Sequence, residues 1–379
     1  MDTQLSEDQT ALEDSCRKLL EGEWPLKQAI KTLGPGGARH SPQLWKTLAE
    51  AGWLGLPFSV DLGGAGGDLI DLGLCYRAAG ERLVPNSLYS CIFAELLIDR
   101  LGSEAQKQEY LQSMIAGARL ATIAYSEPHA AEQPRLFKTT ATRAGHQWVL
   151  SGAKAFVPDV ETADVLFVLA NARSNSDRAD WGLFAVARDT VSGGVRRQSA
   201  LGGETLYQIE LNRVHVPADA LLGGESALPR TLDTFHDVVE QATALQCMEM
   251  VGGASAVLKR TVEYVSERQQ HGRAIGSYQA VQHLLANVAI QLDGACVAAL
   301  QALFLKSKGR SAAREVAIAK IAAGELYANA TTTAHQVWGA MGYARESGVY
   351  LWSERAKVTD ARFGTAASHL RRLADLMQM

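Results

Sequence analysis

The 379-residue sequence has few of the features that mark membrane, nucleic-acid-binding or secreted proteins. Lys and Arg number 37 against 41 Asp and Glu, so the chain lacks the basic excess of a nucleic-acid-binding protein. No uninterrupted apolar run approaches the roughly 20 residues that a membrane span needs. The acidic start of the chain resembles neither a secretory signal nor a transit peptide. We therefore expect a cytoplasmic protein with no nucleic-acid or membrane partner.

Cysteine is scarce, and the short motifs of metal, nucleotide and nucleophile chemistry are missing. The cysteines are odd in number, scattered and without a CxxC pair: Cys16, Cys75, Cys91, Cys247 and Cys296. We expect neither a disulfide framework nor a metal site, and interpret these residues as single buried thiols. The sequence also contains no GxGxxG, GxxxxGKS/T or GxSxG motif. Simple motifs therefore identify no chemistry.

The first two regions of the chain differ in their hydrophobic period. The pattern is helical from Leu5 to about Leu120, where Asp68 opens one helix and Ser103 caps another in capping-box register. Between Leu120 and Gly224 the period approaches two, and short runs rich in β-branched and aromatic residues alternate with turn residues. The first region predicts packed helices, and the second predicts a small antiparallel β domain.

The third region, from Ser226 onward, returns to the helical period. Its three long stretches predict the antiparallel helices of a bundle, and an apolar stripe that includes Leu284 and Val288 marks the second of them. The predicted fold class is α+β and mostly α. The predicted domains are N-terminal helical, middle β and C-terminal helical, with residues 1–119, 120–225 and 226–379.

Five segments, in family order and at family spacing, resemble the acyl-CoA dehydrogenase family. They lie in Ala124–Pro128, Ser151–Val157, Val214–Gly223, Arg268–Gln279 and Gln336–Tyr343. The resemblance covers almost the whole chain. It implies an N-terminal helical domain, a β-barrel-like middle and a C-terminal four-helix bundle, usually assembled as a dimer of dimers.

The resemblance also implies an activity, which is α,β-dehydrogenation of an acyl-CoA thioester bound against FAD. In such enzymes a carboxylate removes the α-proton while the β-hydride passes to the flavin. The implied electron acceptor is an electron-transfer flavoprotein.

The family supplies this carboxylate as a Glu from one of two positions, and both positions differ here. Counting without gaps, one falls on Phe363 and the other on Ala242, beside Thr243 in place of a family Arg. Glu240 lies about 200° around the helix from Ala242, whereas Glu249 returns near the same face ~10 Å further along the axis. Glu249 is therefore the candidate base. The alternative for both glutamates is a solvated or helix-paired carboxylate.

The residues that hold FAD in the family are matched only in part. Beside the chain's own flavin ring, Ser126 keeps a hydroxyl, but Pro158 offers neither a hydroxyl nor an N–H, and residues 129–132 lack the family glycines. The residues that reach a neighbouring subunit's FAD are present: Arg268, Gln279, Gln336 and Gly339. Only His271, in place of Phe, departs there. Alternatively, Arg268 is a helix C-terminal charge, and Gly339 and Gly342 permit close helix packing.

This division resembles the non-catalytic subunits of heteromeric (α2β2) acyl-CoA dehydrogenases that act on steroid-derived CoA thioesters. The closing run Phe363–Arg372 resembles the same subgroup. The resemblance implies a chain that lends FAD contacts to a homologous catalytic partner in a hetero-oligomer. Three alternatives stay open: a self-sufficient homomeric dehydrogenase with a relocated base, an oxidase or other flavin-dependent relative, and a flavin-free scaffold relative.

Overall fold

A computed structural model describes residues 5–128, 130, 136–173 and 180–378. The part before the first strand is helical, as the hydrophobic period predicts. Its helices are α1 Glu7–Glu23, α2 Leu26–Leu33, α3 Pro42–Glu50, α4 Leu69–Glu81, α5 Ser87–Leu101, α6 Glu104–Gln106, a π-helical turn Lys107–Leu111 and α7 Gln112–Ile115.

Capping side chains begin two of these helices at the residues that the sequence indicates. The Asp68 carboxylate accepts hydrogen bonds from the backbone N–H groups of Ile70 at 2.7 Å and Asp71 at 3.1 Å. Ser103 and Gln106 form a reciprocal capping box at the start of α6. Both predicted helix starts are confirmed.

The described residues of the middle part form one seven-stranded sheet. Its strands are β1 Ala121–Ala124, β2 Thr140–Ala144, β3 Gln147–Pro158, β4 Val165–Arg173, β5 Asp180–Ala187, β6 Val195–Gln198 and β7 Leu206–Pro217, with the short helix α8 Arg188–Val191 after β5. Strands β2, β3, β7 and β6 pair antiparallel in that order, and β4 pairs antiparallel with β5.

The predicted antiparallel β domain also contains two parallel strand pairs, both of which include β4. One edge of β4 pairs in parallel with β1 along Val165–Val168 and with β2 along Asn171–Arg173. After β3 the chain crosses over and places β4 beside both strands. A period of two shows that a segment is a strand, but long-range pairing sets the direction of its neighbours.

The C-terminal part is a helical bundle. Its elements are α9 Leu228–Glu267, the hairpin β8 Gln269–Gln270 and β9 Arg273–Ala274, α10 Gln279–Ser307, α11 Ala313–Trp338, α12 Ala340–Tyr343, α13 Val349–Ala361 and α14 Ala366–Leu376. Helices α9, α10 and α11 pack on one another, α13 and α14 pack on α11, and α4 packs on α9. The predicted three-part, mostly helical fold is confirmed.

Helix α10 is covered by its own chain along only part of its surface. In the predicted apolar stripe Val288 is buried, but Leu284 is 39% exposed, and Ile290 on the same helix is 70% exposed. By length and composition alone this helix could span a membrane, although a bundle helix meets the same criteria. Near its end, Lys306 binds Asp237 and Glu240 of α9, which fixes it in the bundle.

All five cysteines are free thiols. Four are buried, as interpreted from the sequence, whereas Cys296 is half-buried. Cys16 of α1 and Cys75 of α4 are not isolated, because their sulfur atoms lie 3.2 Å apart where the two helices pack.

Candidate active site

A cavity of about 740 Å³ lies where the N-terminal helices, the sheet and the bundle meet. Its wall is formed by α4, α5, the segment after β1, the end of β3, residues 200–206, α9 and the connection from α13 to α14. Four predicted site residues line it: Ser126, Ala242, Glu249 and Phe363. The fold therefore brings the two substituted base positions and the candidate base to one place.

Phe363 belongs to a cluster of aromatic rings in this cavity. Its ring packs edge-on against Phe93 with centroids 5.2 Å apart, and Phe93 in turn contacts Phe235 and Tyr125. Phe363 lies in the left-handed region with φ 57°, a conformation that is rare for a bulky residue. Since neither Phe363 nor Ala242 bears an ionisable group, neither of these wall positions offers a proton acceptor.

Glu249 lies in the cavity wall but is held by an arginine. Its Oε1 accepts a hydrogen bond of 2.6 Å from Arg355 Nε, and Arg355 also donates to the carbonyl oxygen of Val84. Burial acts to lower the pKa of Arg355, but the charge and hydrogen bond of Glu249 together with Tyr89 and Glu204 outweigh it, so the pKa is raised. Glu249 is therefore not solvated but paired with a residue of another helix, since the pair joins α9 to α13.

Glu204 forms a second buried ion pair in the wall. Its carboxylate accepts a hydrogen bond from Arg362, which also donates to Asn86 Oδ1 at 2.5 Å. Burial raises the pKa of Glu204, against the opposing charge of Arg362. Glu240, by contrast, lies outside the cavity lining, as its position about 200° around the helix from Ala242 predicts. Its carboxylate is paired with Lys306.

The other four predicted residues lie at one end of the bundle and outside the cavity lining. Tyr264, one turn before Arg268, stacks on Trp338 with centroids 4.1 Å apart, and Gly339 follows that tryptophan. Helices α10 and α11 run antiparallel, which brings Gln279 to the same end. The three of these residues that have side chains are all exposed: Arg268, Gln279 and Gln336.

Two details bear on the alternatives for this bundle end. Gly339 has φ 57°, and a Cβ built there would meet no described atom within 4 Å, so close packing inside this chain does not explain the glycine. Gly342 is different, because its Cβ would lie 3.1 Å from His335 and Trp338.

Arg268 caps the C-terminus of α9, which agrees with its alternative as a helix-terminal charge. His271 forms the tip of the β8–β9 hairpin.

Three family models match successive parts of the chain. They are described as the acyl-CoA dehydrogenase N-terminal, middle and C-terminal domains and match residues 6–118, 122–214 and 207–378. The chain belongs to the acyl-CoA dehydrogenase family. The family comprises oxidoreductases that act on CH–CH bonds of acyl-CoA, and FAD is its cofactor, as predicted.

Individual relatives agree with this assignment. The probable acyl-CoA dehydrogenase YngJ of Bacillus subtilis strain 168 is 30% identical, over 89% of this chain and 89% of its own. A glutaryl-coenzyme A dehydrogenase–glutaryl-CoA complex superposes with a TM-score of 0.91 at 24% identity, over 100% of this chain and 97% of its own. A variant of the steroid ACAD Tcur3481-Tcur3483 gives 0.85 at 28% identity, over 98% of each chain.

In this acyl-CoA dehydrogenase homologue, the residues at the positions that lie beside the flavin ring in the family do not fit the ring, because they offer it no hydrogen-bond donors. Pro158 has no N–H, the Phe156 N–H donates to Gln198 Oε1 at 2.9 Å, and the Ala155 N–H donates to the carbonyl oxygen of Ser126 at 2.9 Å. Backbone donors along this edge are therefore absent or already used. The substituted loop residues His129, Ala131 and Glu132 lie outside the described residues.

Sequence reasoning missed the residues that give the cavity its charges. Arg355 lies within α13, and Arg362 is the extended residue that follows the helix. No local pattern indicates which carboxylate each guanidinium meets. Glu204 lies in an irregular segment that the family motifs do not cover.

Proposed function

We propose that this chain is the non-catalytic subunit of a hetero-oligomeric, FAD-dependent acyl-CoA dehydrogenase. Its bundle end would lend contacts to the FAD of a homologous catalytic partner. One observation carries the proposal: the cavity has Phe363 and Ala242 at the two base positions, and the two carboxylates among its described lining residues, Glu204 and Glu249, are ion-paired with arginines.

The ion pairs matter because removal of an α-proton needs a carboxylate oxygen that can approach the substrate carbon. Glu249 is 1% exposed, and its Oε1 accepts a hydrogen bond of 2.6 Å from Arg355. Glu204 is 7% exposed and is paired with Arg362. These contacts support a cavity that does not perform the proton transfer itself.

The bundle end has the chemistry to bind the adenosine diphosphate half of a neighbour's FAD. An exposed guanidinium can form two parallel hydrogen bonds to a phosphate, and Arg268 is exposed here. Gln279 and Gln336 add amide donors and acceptors, and Gly339 leaves room for a close backbone approach. The uncovered apolar residues of α10, Leu284 and Ile290, would be buried by a partner subunit.

The name of the steroid ACAD relative, Tcur3481-Tcur3483, joins the designations of two proteins. By similarity to it, we propose that this chain has a homologous partner chain and that the substrate of the complex is a steroid-derived CoA thioester. By family resemblance, we also propose an electron-transfer flavoprotein as the acceptor and a cytoplasmic location.

Co-expression with the acyl-CoA dehydrogenase encoded by the adjacent gene tests the proposal. The expected complex contains one FAD per two chains, and the chain purified alone is colourless. One FAD per chain in a homomer that reduces an artificial acceptor with acyl-CoA would overturn it in favour of a self-sufficient dehydrogenase. A chain that stays colourless and partnerless in every co-expression would favour the scaffold alternative.

A further inference from the structure

Two of the cysteines meet in the protein interior, far from the cavity chemistry described above. The Sγ atoms of Cys16 on α1 and Cys75 on α4 lie 3.2 Å apart, and the two residues are 2% and 1% exposed. They are 59 positions apart in the sequence, so the contact depends on how α1 packs on α4. Since a disulfide bond is about 2.05 Å long, the two sulfur atoms need to approach by only about 1.2 Å to be joined.

The other three cysteines have different surroundings. Cys91 and Cys247 are fully buried, and Cys296 is half-buried. In the described part of the chain, a contact between two sulfur atoms is made by Cys16 and Cys75 and by no other cysteines. Accessibility alone therefore favours Cys296 as the reactive thiol, whereas proximity singles out the buried pair.

Helix α1 separates from its surroundings more readily than the bundle helices do, because α4 is its main neighbour. Two ion pairs secure this contact: Glu13 with Arg77, and Arg17 with Glu81. Helix α4, by contrast, also touches α9 backbone to backbone at Gly80. Elements with few neighbours open at a lower free energy than core elements do, so the two thiols become accessible when α1 opens locally, without unfolding of the whole chain.

In the closed structure the pair is chemically protected. A hydrogen bond with Cys16 and burial raise the pKa of Cys75 well above its ordinary value, so this thiol stays protonated. The thiolate is the form of cysteine that attacks a disulfide. We therefore expect the pair to be oxidised slowly, during openings of α1, and the bond once formed to be shielded from reductants when α1 closes again.

The fold favours formation of the bond at equilibrium although it slows the reaction. Because the structure holds the two sulfur atoms in contact, one thiol acts on its oxidised neighbour at a high effective concentration. An unfolded chain has to bring together two residues that are 59 positions apart, which costs conformational entropy. The same comparison means that the bond, once made, opposes the separation of α1 from α4.

We propose that Cys16 and Cys75 are a redox-modification site, at which a disulfide oxidant such as glutathione disulfide joins them and links α1 covalently to α4. The thiolate of one cysteine attacks a sulfur of glutathione disulfide and releases one glutathione. The second cysteine then attacks the mixed disulfide and releases the other glutathione. Two S–H bonds of the protein are replaced by one S–S bond, and the two electrons and two protons pass to the two molecules of glutathione.

This proposal goes beyond the proposed function, because the reaction requires neither FAD nor a partner subunit. Its failure would leave the flavin stoichiometry of the complex unaffected. In a reducing compartment the pair stays as two thiols, and an intramolecular disulfide there acts as a response to oxidation rather than as a permanent part of the fold.

Equilibration of the purified full-length chain with glutathione redox buffers, followed by acid quenching, alkylation and mass spectrometry, tests the proposal. We expect a non-reduced digest to contain the peptides of Cys16 and Cys75 joined to each other. The equilibrium constant for this bond should be about 100-fold larger in the folded chain than in the urea-unfolded chain. Free thiols at both positions in the most oxidising buffer, or equal constants in the two states, would overturn the proposal.

Two alanine variants separate the effect of contact from that of burial. Cys247→Ala removes a thiol that is as deeply buried as the pair, and it should leave the bond and its equilibrium constant unchanged. Cys16→Ala should abolish the internal disulfide. An internal disulfide of Cys75 with another cysteine in Cys16→Ala, formed as readily as in the natural chain, would show that the sulfur–sulfur contact does not select the pair.

Hydrogen exchange on the natural chain gives a second readout that does not depend on the folding of a variant. We expect the amide groups of α1 to exchange at least tenfold more slowly in the oxidised chain than in the reduced chain, because the bond opposes local opening (about one order of magnitude). The amide groups of α11, in the bundle, should exchange alike in both states. Equal exchange of α1 in the two states would overturn the inferred link between α1 and α4.

Discussion

Lys154 and Glu127 form an ion pair of 2.8 Å in the protein interior, where their side chains are 0% and 5% exposed. The carboxylate also accepts from the backbone N–H groups of Lys138 and Thr139. Burial lowers the pKa of Lys154 to about 8. The pair joins two of the five family segments, so both residues serve the fold rather than the chemistry.

Lys154→Met should destabilise the chain by about 3–5 kcal/mol, because it leaves the Glu127 carboxylate buried without a cation. The free energy of unfolding from urea titration measures the effect. The double variant Lys154→Met/Glu127→Leu should recover most of the loss. Equal losses in the single and double variants would contradict this account of the pair.

Phe363→Leu should leave the turnover of the hetero-oligomer within about twofold of the natural complex, because Phe363 offers no group to the reaction. The same change should cost about 1–2 kcal/mol of stability, since it removes the edge-on contact with Phe93. Steady-state kinetics and thermal unfolding measure the two effects. A loss of turnover above a hundredfold would place Phe363 in the chemistry.

Arg268→Ala should weaken FAD binding by the assembled complex by about 10- to 100-fold, the effect of losing one charge-assisted hydrogen bond. Flavin release on dilution measures it. Lys259→Ala removes an exposed charge from the same helix and serves as the control. Equal flavin retention in both variants would favour the alternative of a simple helix-terminal charge.

Gly252→Ala should destabilise the chain by about 1–3 kcal/mol or more, because its Cβ would lie 1.9 Å from the carbonyl oxygen of Arg77. On the facing helix, a Cβ at Gly80 would lie 2.0 Å from the carbonyl oxygen of Glu249. Helices α4 and α9 therefore touch backbone to backbone, and this contact positions Glu249.

Gly294→Ala is the matched control for that substitution. It lies within α10, and a Cβ there meets no described atom within 4 Å, so the change should stabilise the isolated chain by about 0.5–1 kcal/mol. Chemical denaturation of both variants decides the point. Equal destabilisation by both substitutions, or no destabilisation by Gly252→Ala, would contradict the packing account.

Asp159 should make stability depend on pH in a defined direction. It is buried between the hydroxyl groups of Ser90 and Thr205, and burial raises the pKa of its carboxyl group above 3.8. The folded chain therefore takes up this proton at a higher pH than the unfolded chain does. The stabilisation that comes from this protonation is fully present below the pKa of the unfolded chain and is lost as the pH rises through the pKa of the folded chain.

The comparison with Asp159→Asn isolates this contribution from other titrating groups. As the pH is lowered from 7 towards 4, the natural chain should gain stability relative to the variant, measured by urea unfolding at each pH. A difference that does not change with pH would show that the carboxyl group titrates alike in both states.

The sequence by itself determined the secondary structure and the family, because both depend on local patterns. Apolar spacing gave α9, α10 and α11, capping residues gave the starts of α4 and α6, and five short motifs identified the acyl-CoA dehydrogenase fold. The substitutions at Phe363 and Ala242 were also visible, since motif spacing locates those positions without coordinates.

Only the tertiary structure decided what surrounds those positions. The ion pairs of Glu249 with Arg355 and of Glu204 with Arg362 join residues more than 100 positions apart. The contact of Gln246 with Lys320 joins residues 74 positions apart, on α9 and α11. The parallel pairing of β4 with β1 and β2 likewise depends on contacts between segments that are distant in the sequence. Periodicity fixes the face on which a side chain lies, but its partner depends on how distant elements pack, and in this cavity the partners determine the chemistry.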